Sequence, residues 1–140
     1  MAENVRLARA KVTTNPDIDL EFYDFYKRTC DKLAQFLKTK NDLRILAGEG
    51  ILGLEAACAS LTESGDRVLV LDNGIFGHGF AEFVELYGGQ ALLLQSSEKE
   101  AFDIEILEKF LEKDHDFKYA TIVHCDTPSG VLNDLSKICP

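Results

Sequence analysis

Apolar residues recur at two spacings along the chain, and these spacings predict alternating helices and strands. Residues 18–37 and 50–62 carry apolar side chains at the three- and four-residue intervals of amphipathic helices. The near-continuous apolar run Val68-Leu69-Val70-Leu71 predicts a strand that is buried on both faces. The same reasoning predicts further helices over 76–87, over 104–113 and from 135 onward, and further strands over 43–47, 91–94 and 119–124.

Capping and turn residues support these boundaries. Asp17 and Asp103 precede predicted helices as N-caps, and Gly88-Gly89 ends the helix over 76–87. We expect the aromatic residues of the helix over 18–37 to pack inward. The four cysteines are far apart and form no C-x-x-C pair, so we expect buried free thiols, with Cys30 and Cys58 on apolar helix faces.

The strict alternation of strands and helices indicates the fold class. Strands too apolar to have a solvated face predict an α/β fold with three layers, α-β-α, around a mainly parallel sheet. Ligands of such sheets bind beyond the carboxyl ends of the strands. Three segments follow predicted strands at that edge: residues 48–51, 72–77 and 125–130.

Charge and composition exclude several classes of function. The chain of 140 residues is the size of one domain, and its formal net charge is -9 without any basic run. This balance argues against nucleic acids and anionic membranes as partners. No apolar run approaches the roughly 20 residues of a membrane span, and the first residues lack the pattern of a signal peptide, so we expect a cytoplasmic protein.

A glycine-rich loop precedes the helix over 50–62. The sequence Gly48-Glu49-Gly50-Ile51-Leu52-Gly53 has the spacing G-x-G-x-x-G, between a predicted strand and a helix. The unpaired N–H groups and the positive dipole end of the helix suit an anion. The loop is compatible with NAD, since Asp72 follows at close to the offset of a ribose-binding acid, with another phosphate ligand, or with a plain tight turn.

An aromatic residue marks the second loop. Phe76 follows a strand end and is flanked by Gly74 and Gly77, where a flat ligand ring can stack on it. A dinucleotide site needs no such platform. The alternative is an ordinary core aromatic at the start of a helix.

Four segments together resemble a known family. The segments "GEGILGLEAA", "VLVLDNGIFG", "LYGG" and "IVHCDTPSGVLNDL", in this order and spacing, resemble the large domain of class V aminotransferases, fold-type-I enzymes that depend on pyridoxal 5'-phosphate (PLP). The alanine/serine-glyoxylate aminotransferase group is the most similar. The resemblance implies an N-terminal arm over residues 1–17 and a partial PLP-binding large domain over residues 18–140.

The resemblance also assigns site residues. It implies that Glu49, Gly50 and Ile51 cup the cofactor phosphate, that Phe76 stacks on the pyridine ring, and that Thr127 contacts the phenolic oxygen. Glu49 and Ile51 stand where the family usually has hydroxyl donors, so backbone N–H groups carry more of the phosphate binding. A lone histidine that ends a buried strand, such as His124, is more often structural than catalytic.

Other histidines suggest no chemistry. His78 and His115 have no partner in the sequence pattern that indicates a metal or a nucleophile, and we expect no metal site. The scattered acids near them are typical of solvated faces.

The implied activity is transfer of an amino group between a small amino acid and a 2-oxo acid by a homodimer. The family's Schiff-base lysine and pyridine-binding carboxylate lie beyond the position that matches Pro140. We therefore expect this chain to be a fragment that is inactive by itself and prone to instability or self-association. Lyases and desulfurases share the scaffold, so the reaction type rests on the resemblance.

Two alternatives from other classes remain open. One is an NAD-dependent oxidoreductase fragment that uses Gly48, Gly50, Gly53 and Asp72. The other is an α/β interaction module that binds no cofactor.

Overall fold

The computed structural model describes residues 1–11 and 15–139, in which the chain forms two compact units, residues 1–47 and 48–140. The predicted boundary at residue 17 falls inside the first unit. The first unit contains helices α1 (Glu3–Arg9) and α2 (Leu20–Phe36). In the second unit the elements are α3 (Gly50–Leu61), β1 (Arg67–Asp72), α4 (Ile75–Leu86), β2 (Gln90–Gln95), α5 (Ile104–Leu111), β3 (Tyr119–Thr121), β4 (Cys125–Asp126), β5 (Val131–Leu132) and α6 (Leu135–Ile138).

Helix α2 of the first unit corrects two expectations. Helix α2 forms as predicted but begins after Asp19 rather than Asp17, and none of its residues is fully buried. Phe22, Tyr26 and Cys30 form a half-buried stripe, whereas other aromatic side chains of the helix, such as Tyr23, are exposed. The inward packing was overestimated because a unit with two helices has too little material to enclose a core.

The predicted strand over 43–47 is also wrong. Residues 42–46 have no regular secondary structure, and among the residues that the structure describes no strand pairs with them. The backbone N–H of Ile45 instead donates to the hydroxyl of Tyr26 at 2.8 Å. An apolar run forms a strand only when a neighbouring strand can accept its backbone hydrogen bonds.

The second unit confirms the predicted fold class. Strand β1 lies between β2 and β3, and both neighbours are parallel to it, with Val70 opposite Leu93 on one side and Thr121 on the other. The central run 68–71 is buried on both faces, as predicted. Strand β3 is shorter than expected, because the chain leaves the sheet after Thr121 and forms the antiparallel hairpin of β4 and β5.

Helices cover both faces of this sheet. On one face Val68 and Val70 pack with Cys58 of α3 and Val84 of α4. On the other face Leu69 and Leu71 pack with Phe102 and Leu107, which lie before and within α5. The Asp103 side chain caps α5 by accepting from the N–H of Glu105, as predicted. The three layers hold the carboxyl ends of the strands and the loops after them in place.

The cysteine expectation holds for one residue. Cys58 is buried, Cys30 is half-buried, and Cys125 and Cys139 are exposed; all four are free thiols. None of the helices in the described part of the chain has the length and apolar character needed to cross a membrane.

Candidate ligand-binding cleft

A cleft of about 550 Å³ lies at the carboxyl edge of the sheet in the second unit. The start of α3, the first turns of α4 and the segment after β3 form its walls. Its lining residues are Glu49, Gly50, Ile51, Leu54, Phe76, Phe80, Ile122, Val123, His124 and Cys125. The structure therefore brings together Glu49, Gly50, Ile51 and Phe76, which sequence reasoning selected from two separate loops.

One end of the cleft is the start of α3. The helix begins at Gly50, with Glu49 at the N-cap position in extended conformation, and no side chain caps it. The N–H of Leu52 already donates to the carbonyl of Glu49 at 3.0 Å, but the N–H groups of Gly50 and Ile51 have no partner among the described residues and are available to a ligand. A Cβ at Gly50 would meet no atom within 4 Å, so this end is open.

The charge at this end is acidic. Glu49 is exposed, and the described residues that line the cleft include no lysine or arginine. A phosphate here gains from the helix dipole but is repelled by the carboxylate of Glu49. Cationic side chains, which bind phosphates most strongly in proteins, are missing from this lining.

Phe76 lies in the first turn of α4. Its side chain is 43% exposed, whereas Phe80 one turn later is buried in the core. Of the two interpretations of Phe76, a stacking surface or a core aromatic, the structure favours the first, because Phe76 is an open aromatic surface at the cleft. A flat ring has an accessible face on which to stack.

The β4–β5 hairpin is fixed to the loop before α4 by close packing. A Cβ on Gly74 would lie 2.8 Å from Cγ of Asp126, so the glycine backbone touches this carboxylate. Asp126 is buried, and its Oδ2 accepts from the backbone N–H of Ser129 at 3.1 Å and from the Ser129 hydroxyl at 2.7 Å. Its Oδ1 is buried, and no described residue forms a hydrogen bond with it.

Thr127 lies at the tip of this hairpin. Thr127 is exposed and is not part of the cleft lining. The structure thus places the fifth predicted site residue beside the cleft edge at Cys125 and Asp126, with no described contact to the other four.

Two buried asparagines were missed by sequence reasoning. Asn73 and Asn133 are each 1% exposed and exchange amide hydrogen bonds of 3.1 and 3.2 Å. Asn133 also donates to the carbonyl of Val123 at 2.6 Å, and its backbone N–H donates to the carbonyl of His124 at 2.7 Å. Because Val123 and His124 line the cleft, this pair fixes the wall that they form.

His78 has a partner that the sequence pattern did not indicate. Its Nδ1 lies 3.0 Å from Oδ2 of Asp72, a carboxylate with 8% side-chain exposure at the end of β1. The hydrogen bond and the charge of Asp72 raise the pKa of His78 above its ordinary value. The pairing spans a strand end and a helix start, and only the tertiary structure reveals it.

The same contacts argue against the dinucleotide interpretation. Asp72 Oδ2 also accepts from the side-chain amide of Gln95 at 3.2 Å, and Oδ1 accepts from the N–H of Gly74 at 3.4 Å. An acid that binds a ribose must present its oxygens to the ligand. Asp72 is buried and already occupied by protein donors.

These features define the class: an α/β unit with a mainly parallel sheet and a ligand cleft at the carboxyl ends of its strands. Comparison with known proteins sharpens it. No protein-family model matches the chain. Pyridoxamine–pyruvate transaminase of Mesorhizobium japonicum is 34% identical over 122 residues, which is 87% of this chain and 31% of that protein.

Solved structures agree with this similarity. Pyridoxamine–pyruvate aminotransferase from Mesorhizobium loti superposes with a TM-score of 0.85 at 32% identity, covering 99% of this chain and 35% of that one. Ureidoglycine–glyoxylate aminotransferase from Bacillus subtilis gives a TM-score of 0.83 at 27% identity, covering 97% of this chain and 35% of that one. These enzymes confirm the predicted fold, and the chain spans about a third of the length of the relatives it matches.

Proposed function

We propose that this chain is the cofactor-binding part of a class V aminotransferase. The complete protein would move an amino group between a small amino compound and a 2-oxo acid such as pyruvate or glyoxylate. One observation carries the proposal: the start of α3, the open face of Phe76 and the carboxyl edge of the sheet meet in one cleft. The similarity to transaminases supports it independently.

PLP fits most of this cleft. Phe76 offers a stacking face for the pyridine ring. The backbone N–H groups of Gly50 and Ile51 lie at the positive end of the α3 dipole, where they can bind a phosphate. PLP supplies an electron sink for amine chemistry when it is bound. The residues of this chain would bind and orient it, with Thr127 as the proposed contact of the phenolic oxygen. The Schiff-base lysine, in this proposal, comes from the remainder of the protein.

Glu49 favours a second candidate, in which the ring that binds carries no phosphate. A carboxylate accepts a hydrogen bond from a neutral hydroxymethyl group but repels a phosphate dianion, and no lysine or arginine of the described cleft lining offsets that repulsion. The relative with 34% identity is named for pyridoxamine and pyruvate. In this version pyridoxamine is the amino donor and pyruvate the acceptor.

The proposal extends to the setting of the enzyme. We infer a homodimer, as the family resemblance implies, and a cytoplasmic location. Its partners are then small amino and 2-oxo acids, without nucleic acid or membrane.

Amino transfer by the protein from the complete reading frame tests these candidates. The protein is mixed with pyruvate and either pyridoxamine alone or PLP with a panel of small amino acids, and alanine is quantified. Alanine formation with PLP and an amino acid supports the first candidate, whereas formation from pyridoxamine alone supports the second. Absence of transfer in both mixtures, with protection of the protein by NAD against unfolding, would contradict the proposal.

A further inference from the structure

The carboxylate of Asp72 joins the central strand to the helix that carries Phe76. It has 8% side-chain exposure, and its three donors among the described residues come from different elements. Gly74 donates from the loop, Gln95 from β2 and His78 from the first turn of α4. A buried carboxylate is costly unless its charge is compensated. Of the three donors, His78 alone is able to carry a positive charge.

The first turn of α4 lies directly on the end of β1. A Cβ on Gly77 would be 3.1 Å from the carbonyl oxygen of Leu71 and 3.4 Å from Cα of Asp72. The glycine thus allows the helix backbone to touch the strand end. Backbone contact at Gly77 sets the distance of the helix from the strand, but it does not fix the rotation of the turn.

The side chain of His78 supplies that second restraint. Successive residues of a helix point in directions about 100° apart, so His78 reaches the strand end while Phe76 faces elsewhere. Phe76 faces the cleft. With Gly77 against Leu71 and His78 against Asp72, the direction of the Phe76 ring is set by the two residues that follow it.

We propose that His78 and Asp72 are positioning residues that hold the ring of Phe76 in its cleft-facing direction, and that this hold weakens when His78 loses its proton. The consequence for ligand affinity rests on the proposed function. The restraint on Phe76 does not.

The charges around His78 give the direction of the pH dependence. Asp72 faces it from β1, Glu82 from the next turn of α4, and Glu98 from the segment after β2. All three are acids, and together they raise the pKa of His78. A group with a raised pKa in the folded state stabilises at low pH, and its contribution is lost as pH rises through that pKa.

NMR of the 140-residue chain from pH 5 to 9 tests the restraint. The imidazole of His78 and the ring of Phe76 are followed in the original chain, in His78→Gln and in a control, His115→Gln, which changes an exposed histidine outside the cleft. We expect the Phe76 signals to follow the midpoint of His78, and to lose this pH dependence in His78→Gln only. Phe76 signals that do not respond to His78 would overturn the proposal.

Pyridoxal binding to the same three proteins adds the functional readout. Between low and high pH, we expect the original chain to lose affinity by about threefold to tenfold more than His78→Gln does. The ionisation of pyridoxal itself cancels in this comparison. If Phe76 follows His78 while no protein binds pyridoxal, the proposed function fails and the restraint stands. Equal pH dependence of binding in both proteins would contradict the role in affinity.

Discussion

Asn73 and Asn133, sixty residues apart in the chain, exchange a pair of amide hydrogen bonds in the interior of the sheet unit. Asn73 follows β1, and Asn133 follows β5. Asn133 Oδ1 also accepts from the backbone N–H of Phe102 at 2.7 Å, and Asn73 donates to the carbonyl of Glu100 at 3.2 Å. The pair therefore joins three loops at the edge of the sheet where the cleft lies.

Replacement of Asn133 by alanine tests the importance of this network. It leaves the carbonyl of Val123, the N–H of Phe102 and the amide of Asn73 without their partner in a buried place. We predict a loss of about 3 kcal/mol in the free energy of unfolding. Hydrogen exchange of the β1 amides measures it, because these amides open only when the sheet unit unfolds.

Gln90→Ala is the matched control for this prediction. It removes an exposed amide from the same unit and should change the exchange of β1 little. Equal effects of the two substitutions would show that the asparagine pair adds no stability of its own.

Gly74 and Gly79 provide a second matched pair. An added Cβ at Gly74 would press on the carboxylate of Asp126, which Ser129 holds in place, whereas a Cβ at Gly79 would meet no atom within 4 Å. We predict that Gly74→Ala costs about 1–3 kcal/mol and disturbs the hairpin of β4 and β5. Gly79→Ala should stabilise α4 by up to about 1 kcal/mol.

The comparison is made by hydrogen exchange or by thermal unfolding of both variants. If Gly74→Ala is as stable as Gly79→Ala, the close contact of the loop with Asp126 does not exist in solution.

The ion pair of Arg67 and Asp114 predicts a dependence of stability on pH. Two bonds, of 3.1 and 2.6 Å, connect the guanidinium to the carboxylate, and the guanidinium lies 4.7 Å from the centre of the Phe117 ring. The hydrogen bond to Arg67 lowers the pKa of Asp114. The pair thus stabilises the fold above the ordinary pKa of an aspartate, and this contribution is lost as pH falls through the lowered value.

Asp114→Asn should therefore reduce Tm near neutral pH and have progressively less effect as pH falls below the ordinary pKa of an aspartate and through the lowered pKa of Asp114. Asp116→Asn is the control, because that side chain is 96% exposed and lies 3.8 Å from the guanidinium. Parallel Tm curves for the original chain and Asp114→Asn would contradict the assignment.

The charge of Glu49 should determine whether the cleft prefers PLP or pyridoxal. Replacement by glutamine removes the negative charge at the start of α3 and keeps a side chain of nearly the same size. We expect Glu49→Gln to bind PLP about tenfold more tightly than the original chain, because the charge repulsion is removed. Pyridoxal should bind no more tightly, since its hydroxymethyl group loses a carboxylate acceptor.

Fluorescence titration of both proteins with PLP and with pyridoxal measures these changes. Glu55→Gln, a change to a half-buried acid further along α3, controls for the overall charge of the chain, because the amide oxygen of glutamine can still accept the hydrogen bond that Glu55 accepts from the Tyr87 hydroxyl. An equal gain in PLP affinity from Glu55→Gln would show that Glu49 has no local role.

The sequence predicted those elements whose cause is local. The run 68–71, the cap at Asp103 and the glycines after α4 each carry their own signal, and the structure agrees with them. The failure over 43–47 has a different cause. The apolar run is present, but strand formation depends on a partner strand that the run itself does not encode.

The residues of the candidate site also fall into a group that the sequence predicted and a group that it did not. The family resemblance selected Glu49, Gly50, Ile51 and Phe76, and they do share a cleft. The pairs Asp72–His78 and Asn73–Asn133 were missed. The tertiary structure brings each pair together, and the residue types alone do not indicate which partner each side chain has. An asparagine after a strand is more often a turn residue than a buried hydrogen-bond donor.

The central claim is that the cleft between α3, Phe76 and the segment after β3 binds a pyridoxal-type ring. Two-dimensional NMR of the isotopically labelled chain, titrated in parallel with PLP, pyridoxal and NAD, tests it most directly. We predict that PLP or pyridoxal shifts the signals of Gly50, Ile51, Phe76 and His124, and that Phe76→Ala weakens this binding. Shifts caused by NAD alone, or pyridoxal shifts confined to residues outside the cleft, would contradict it.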